Sequence, residues 1–212
     1  MPRITLAALC LFLAAALPTQ ACAQQFFKKS ELLAEMFPSA RRVAPVELTL
    51  TKAELASAEA TLGHGLPQST YTFYEASAGN EVLGWCLFDD QIGQHEPITF
   101  GVQVGADGAL VRLEVVTYRE KRGAEIRSGR FRGQFVGKRS GDPLKLNAGI
   151  QAVSGATYSS RSATVVAARA LLLASLLRSR GASVGAAEPV ATAPDKARGD
   201  LDGSAFEPDN RQ

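Results

Sequence analysis

The residues with most chemistry to offer stand together at Val153-Ser154-Gly155-Ala156-Thr157-Tyr158-Ser159-Ser160. The stretch ends a strand-like approach and opens a run rich in Ala, Val and Leu. Gly155 lets the backbone turn sharply and come close to a ligand. Ser159 or Ser160 is placed to cap the helix that follows. The free N–H groups and the dipole at a helix N-terminus favour an anion, and Ser154 and Thr157 add hydroxyls beside it. A phosphate suits such a site. An ordinary strand-to-helix turn uses the same residue types, so physics alone leaves both readings open.

Other candidates offer less. Of the two histidines, His64 stands between Gly63 and Gly65 in a loop leaving a helix and reads as a solvated side chain. Asp89, Asp90, His95 and Glu96 lie between two strand pairs, but their spacing matches no metal-ligand pattern, and they read as a solvated loop. Cys86, inside the strand-like run Val82 to Phe88, reads as a buried, inert thiol. From Arg112 to Lys145 there are ten basic and four acidic side chains, a local +6 in a chain of net charge +2. That is either a solvated face or a positive field for a phosphate or an acidic partner. Arg130-Phe131-Arg132-Gly133 hints at RNA, but the small net charge and the export signal argue against nucleic acid. No G-x-G-x-x-G sits on a strand–helix unit, and no cysteine cluster or C-x-x-C-H haem site is present.

The elements that must position these residues follow from periodicity. The chain has 212 residues, 46% apolar and 21% charged, which is ordinary globular composition. Arg3, the apolar run Ile4 to Leu17, the break at Pro18 and the Ala21-Cys22-Ala23 cut site predict a signal peptide over 1–23, with the mature chain starting at Gln24. A lipoprotein start at Cys22 is the minor alternative. Residues 24–79 form a helix–strand–helix portion: a helix over Ser30 to Phe37, a strand over Val43 to Leu50, and a helix opened by the capping box Thr51-Lys52-Ala53-Glu54 and closed by Gly63. Two hairpins follow, Ser69 to Glu75 with Val82 to Phe88, and Ile98 to Val104 with Ala109 to Tyr118. Arg161 to Arg180 is an apolar helix, read as core rather than membrane on its length, with Leu172 among its core positions. The fold class predicted is α+β, an antiparallel sheet of hairpins packed against this long C-terminal apolar helix. Residues 181–212 hold six acidic and three basic side chains among Ala, Gly and Pro, and predict a disordered tail.

Ser154-Gly155-Ala156-Thr157, with Tyr158-Ser159-Ser160 and the helix behind it, resembles the FMN-binding domain family. That family includes the flavin-carrying small subunits of the Na+-translocating NADH:quinone reductase and of Rnf complexes. Tyr118-Arg119-Glu120-Lys121-Arg122-Gly123 is similar to the family's Glu-x-x-Gly segment, and Phe131, Gln134, Phe135 and Gly137 to its aromatic follow-on. The resemblance implies an FMN-binding domain over 80–180 and FMN as cofactor, joined by a phosphoester to Thr157. A separate periplasmic FMN transferase would attach it, using FAD and magnesium. Ser154, Gly155, Ala156, Tyr158, Ser159, Glu120 and Gly123 are the further cofactor-binding candidates it implies. The chain departs from the pattern at Gln151, where the family usually has an acidic residue three positions before the serine, which leaves covalent and non-covalent FMN both open. The resemblance implies an exported, periplasmic electron carrier that serves membrane or periplasmic redox partners, with no catalytic residue or metal of its own. The alternative is a non-redox exported module that binds a phosphorylated ligand or an acidic partner.

Overall fold

The computed structural model of the protein describes residues 23–181. The signal peptide expected over 1–23 and the disordered tail expected over 181–212 lie, apart from Ala23 and Gly181, outside the described residues. In chain order the elements begin with β1 (Gln24–Gln25), α1 (Lys29–Met36), β2 (Arg42–Thr49) and α2 (Lys52–Leu62). Four long strands follow, β3 (Thr70–Ala78), β4 (Glu81–Ile92), β5 (Pro97–Gly105) and β6 (Leu110–Tyr118). Turns of 3₁₀ helix at Ala124–Arg127 and Gly133–Phe135 flank α3 (Gly129–Arg132). Last come β7 (Lys145–Leu146), β8 (Gly149–Ile150) and α4 (Thr157–Ser179).

Strands β2 to β6 meander antiparallel, and β1 joins the free edge of β6 to give the order β1-β6-β5-β4-β3-β2. With α4 packed on this sheet, the α+β class expected from the hairpins and the apolar helix is the one observed. The N-terminal portion and the later hairpin share the sheet, because β2 pairs with β3, β3 with β4 and β4 with β5.

Alternation along the strands sends side chains to two faces. On one face Trp85, Leu87, Ile98, Phe100 and Val102 meet Ala163, Val166, Ala170 and Leu173 of α4. On the other, Cys86 and Val116 meet Leu32, Leu33 and Met36 of α1. Helix α1 seats closely because Gly101 has no side chain; a Cβ there would stand 2.9 Å from Leu32 Cδ2. Gln103 Nε2 then donates to the Met36 carbonyl at 2.7 Å, satisfying one of the carbonyls left over at the end of α1. Cys86 is fully buried, and burial pushes its thiol far up from its ordinary value, so it is inert.

Helix α2 has the caps its sequence predicts. Thr51 Oγ1 accepts from Glu54 N, Thr51 N donates to Glu54 Oε2 at 2.8 Å, and Gly63 ends the helix at φ 73°. Helix α4 differs from expectation. It starts at Thr157 rather than Arg161 and runs for 23 residues. That is long enough to cross a membrane, so length does not exclude a span; its burial against the sheet, 67% of the most apolar window, makes it a core helix. Leu171 and Leu173 are buried, whereas Leu172 is only half-buried.

Strand β4 is also longer than expected, and the turn before it shrinks to Gly79-Asn80. Asp89 and Asp90 are therefore strand residues, not a solvated loop. Asp89 is buried, with its carboxylate accepting from Arg169 Nη1 at 2.6 Å, and Arg169 Nη2 donates to Gln91 Oε1 at 2.8 Å. Burial raises the Asp89 pKa, and the guanidinium offsets only part of that. Among the described residues no three His, Cys, Asp or Glu side chains gather as a metal site.

Candidate functional site: an uncapped helix end beside an exposed threonine

The turn before α4 closes with Ala156 N donating to the Val153 carbonyl at 3.0 Å. Gly155 sits at φ 76°, a left-handed conformation that costs glycine least, and no atom lies within 4 Å of where its Cβ would be. The helix takes Ala156 as its N-cap, which offers no side-chain acceptor. The serines expected as caps, Ser159 and Ser160, face inward instead and are buried. Ser160 Oγ accepts from Val153 N at 3.1 Å, and Ser159 Oγ lies 2.8 Å from the Tyr118 hydroxyl. Among the described residues no acceptor meets the N–H groups of Thr157, Tyr158 and Ser159. Ser154, Gly155, Thr157 and Tyr158 are exposed. Three open N–H donors, the positive end of a 23-residue helix and an adjacent free hydroxyl make a donor set that fits a phosphate.

The segment after β6 braces this end. The β5–β6 register slips between Thr99 and Phe100, and the bulge turns Tyr118, rather than Thr117, toward α4. Tyr118 Oη donates to the Arg122 carbonyl, so Ser159 supplies the proton of the Tyr118–Ser159 bond. Gly123, at φ 97°, packs against that pair; a Cβ there would stand 2.7 Å from Tyr118 Oη and 2.8 Å from Ser159 Oγ. Gly123 is thus brought to the helix end. Glu120 is engaged on the turn between β4 and β5, where its Oε1 accepts from the backbone N–H of His95 at 2.6 Å and of Glu96 at 3.0 Å. Burial raises the Glu120 pKa, but the N–H bonds from Glu96, His95 and Gln94 outweigh it, and the carboxyl is held below its ordinary value.

Glu120→Gln should therefore loosen this turn. The expected cost is about 1–2 kcal/mol, that of weakening charge-assisted hydrogen bonds at a part-exposed site. Because the folded-state pKa is lowered, this contribution is present above the unfolded pKa and is lost as pH falls through the folded one. Hydrogen exchange of the His95 and Glu96 amides should rise in the variant; unchanged protection would show that Glu120 does not hold the turn.

Two contacts that sequence reasoning missed complete the site. Gln151 N donates to Gln134 Oε1 at 2.8 Å and Gln134 Nε2 donates to the Gln151 carbonyl at 3.2 Å, clamping the approach to the turn. Ser162 Oγ donates to the Ile92 carbonyl at 2.6 Å, tying the end of β4 to the first turns of α4. Tyr158 and Ile92, 54% and 55% exposed, leave apolar surface at this junction. Three of the ten basic side chains are paired within the chain: Arg112 and Arg132 with the buried Glu114, and Arg139 with Asp107 at the surface.

A glycine turn, an uncapped helix end and an exposed threonine stand together on an α+β scaffold. Residues 93–172 match the family model of the FMN-binding domain. The chain carries an FMN-binding domain over that span, with FMN as its cofactor, and the span holds every candidate from Glu120 to Ser159. No curated protein matches the chain.

Proposed function

We propose that the protein is an exported electron carrier whose FMN is joined by a phosphoester to Thr157. One observation carries the reading: Thr157 presents an exposed hydroxyl at a helix end whose first three N–H groups no protein acceptor uses. Those N–H groups would hold the phosphate, Gly155 leaves the hydroxyl open to an attaching enzyme, and Tyr158 and Ile92 offer apolar surface beside it. FMN, when bound, supplies one- and two-electron exchange. The chain's own residues bind and orient it; Tyr118, Ser159 and Gly123 keep the helix end in place. The leader-like N-terminus supports export to the periplasm. There a FMN transferase would act on Thr157, and membrane or periplasmic redox partners would exchange electrons with the carrier.

Gln151 bears on attachment rather than on folding. Its backbone is clamped by Gln134, while its side chain is exposed. Gln151→Asp should leave stability unchanged and attachment equal or faster, followed as flavin incorporated against time with a purified transferase; slower attachment would contradict a role for an acidic residue there. The reading as a whole is tested by colour. Protein co-expressed with a transferase should be yellow, and the colour should stay with the protein through acid precipitation. A colourless product from a competent host would remove the carrier reading.

A further inference from the structure

A cleft of about 670 Å³ runs along α4, between the exit of α2 and the loop leading to β7. This is the size of a small-molecule site. Leu144, Val165 and Leu172 line its apolar floor, and His64, Lys145 and Arg161 line it as well. A second hollow of about 580 Å³ continues it past His64, Arg161 and Val165. Val165 and Leu172 are seven residues apart, two turns on one helix face, and both stay half-exposed on a helix whose other leucines are largely buried.

The charge lining the cleft is net positive, with Arg139, Lys145 and Arg161 against Asp142. Arg139 is paired with Asp107, and the Asp142 carboxylate accepts the Arg139 backbone N–H. Lys145 and Arg161 are exposed and form no ion pair among the described residues. His64 has only its Nδ1 engaged, on the Gly65 carbonyl at 3.0 Å. An apolar floor with two unpaired cations at its edge disfavours cations and strongly hydrated ligands, and suits an apolar body that ends in an anionic group. Arg161 follows Thr157 by one helical turn, so the cleft opens roughly 5–6 Å from the threonine on the same helix face.

We propose that this cleft binds an apolar organic carboxylate, beside the flavin site and separate from it. Its place as a neighbour of the cofactor rests on the proposed function; the binding does not. The test uses the full mature chain with Thr157→Val, which takes up no covalent flavin, titrated with 2-naphthoate and followed by amide NMR shifts and calorimetry. Saturable 1:1 binding is expected, with shifts confined to the cleft. Neutral 2-naphthamide should bind at least tenfold more weakly. The double substitution Lys145→Gln/Arg161→Gln should weaken 2-naphthoate binding at least tenfold, as should Val165→Trp, which fills the floor. Thermal unfolding of each variant confirms that it is folded. No saturable binding, or binding indifferent to both variants, overturns the proposal. The titration is then repeated on flavin-loaded wild type: retained binding supports a separate site, and its loss shows that the cleft belongs to the flavin and overturns the proposal. If the wild type never takes up flavin while naphthoate still binds, the carrier reading fails and the cleft assignment stands.

Discussion

Thr157→Val is expected to abolish covalent flavin while leaving the domain folded. Threonine and valine have nearly the same shape, and valine lacks only the hydroxyl that a phosphoester needs. Position 157 is the exposed first residue of α4, so the change meets no packed neighbour and should shift stability by no more than about 0.5 kcal/mol. Thr157→Ser keeps a hydroxyl at the same place and should retain at least part of the attachment. Intact mass after co-expression with a transferase reads both variants directly. A Thr157→Val chain that still gained the flavin mass would place the bond elsewhere, with Ser154, Ser159 and Ser160 next in turn. Of these Ser154 is the exposed one, whereas the other two are buried and already hydrogen-bonded.

The largest stability effect is expected at Asp89. Asp89→Ala removes the carboxylate that faces Arg169, a side chain only 2% exposed in the middle of α4. Gln91 cannot neutralise it, so a buried charge is left unpaired, at a cost of about 3–5 kcal/mol. For a domain of this size that is roughly 10 °C or more in Tm. Replacing both partners, Asp89→Leu with Arg169→Met, should recover most of the loss, because the desolvation of both charges goes with them. Chemical denaturation of the two variants checks this. An Asp89→Ala protein within 1 kcal/mol of wild type would mean that water or another group reaches Arg169.

The same pair shows where sequence reading stops. Alternation through Trp85 and Leu87 puts Asp89 on the face toward α4, and Arg169 is the one charge inside an otherwise apolar run. Either residue alone reads as an interruption. Only the register between strand and helix, which no local pattern encodes, makes them partners across 80 positions. The strands, the caps of α2 and the apolar stripe of α4 were legible because each is a local pattern with a local cause. The start of α4 was not. Ser159 and Ser160 are good capping types, but the turn at Gly155 lets the helix begin earlier, on a residue with nothing to cap it, and that leaves the first N–H groups of the helix open. Thr157, Gly155 and Gly123 stand at the helix end, whereas Glu120 is held by the β4–β5 turn. Tyr118 was missed as a brace because it reaches Ser159 only through a β-bulge, and a bulge shifts the very alternation used to assign faces.

The most direct test of the central claim is a mass measurement on the wild-type chain, purified from its native host or after co-expression with an FMN transferase, followed by peptide mapping. The mature chain should gain the mass of one FMN less one water, and the fragment carrying it should be modified on Thr157. The mass of the unmodified chain from a competent host, or flavin mapped to any other residue, would contradict it.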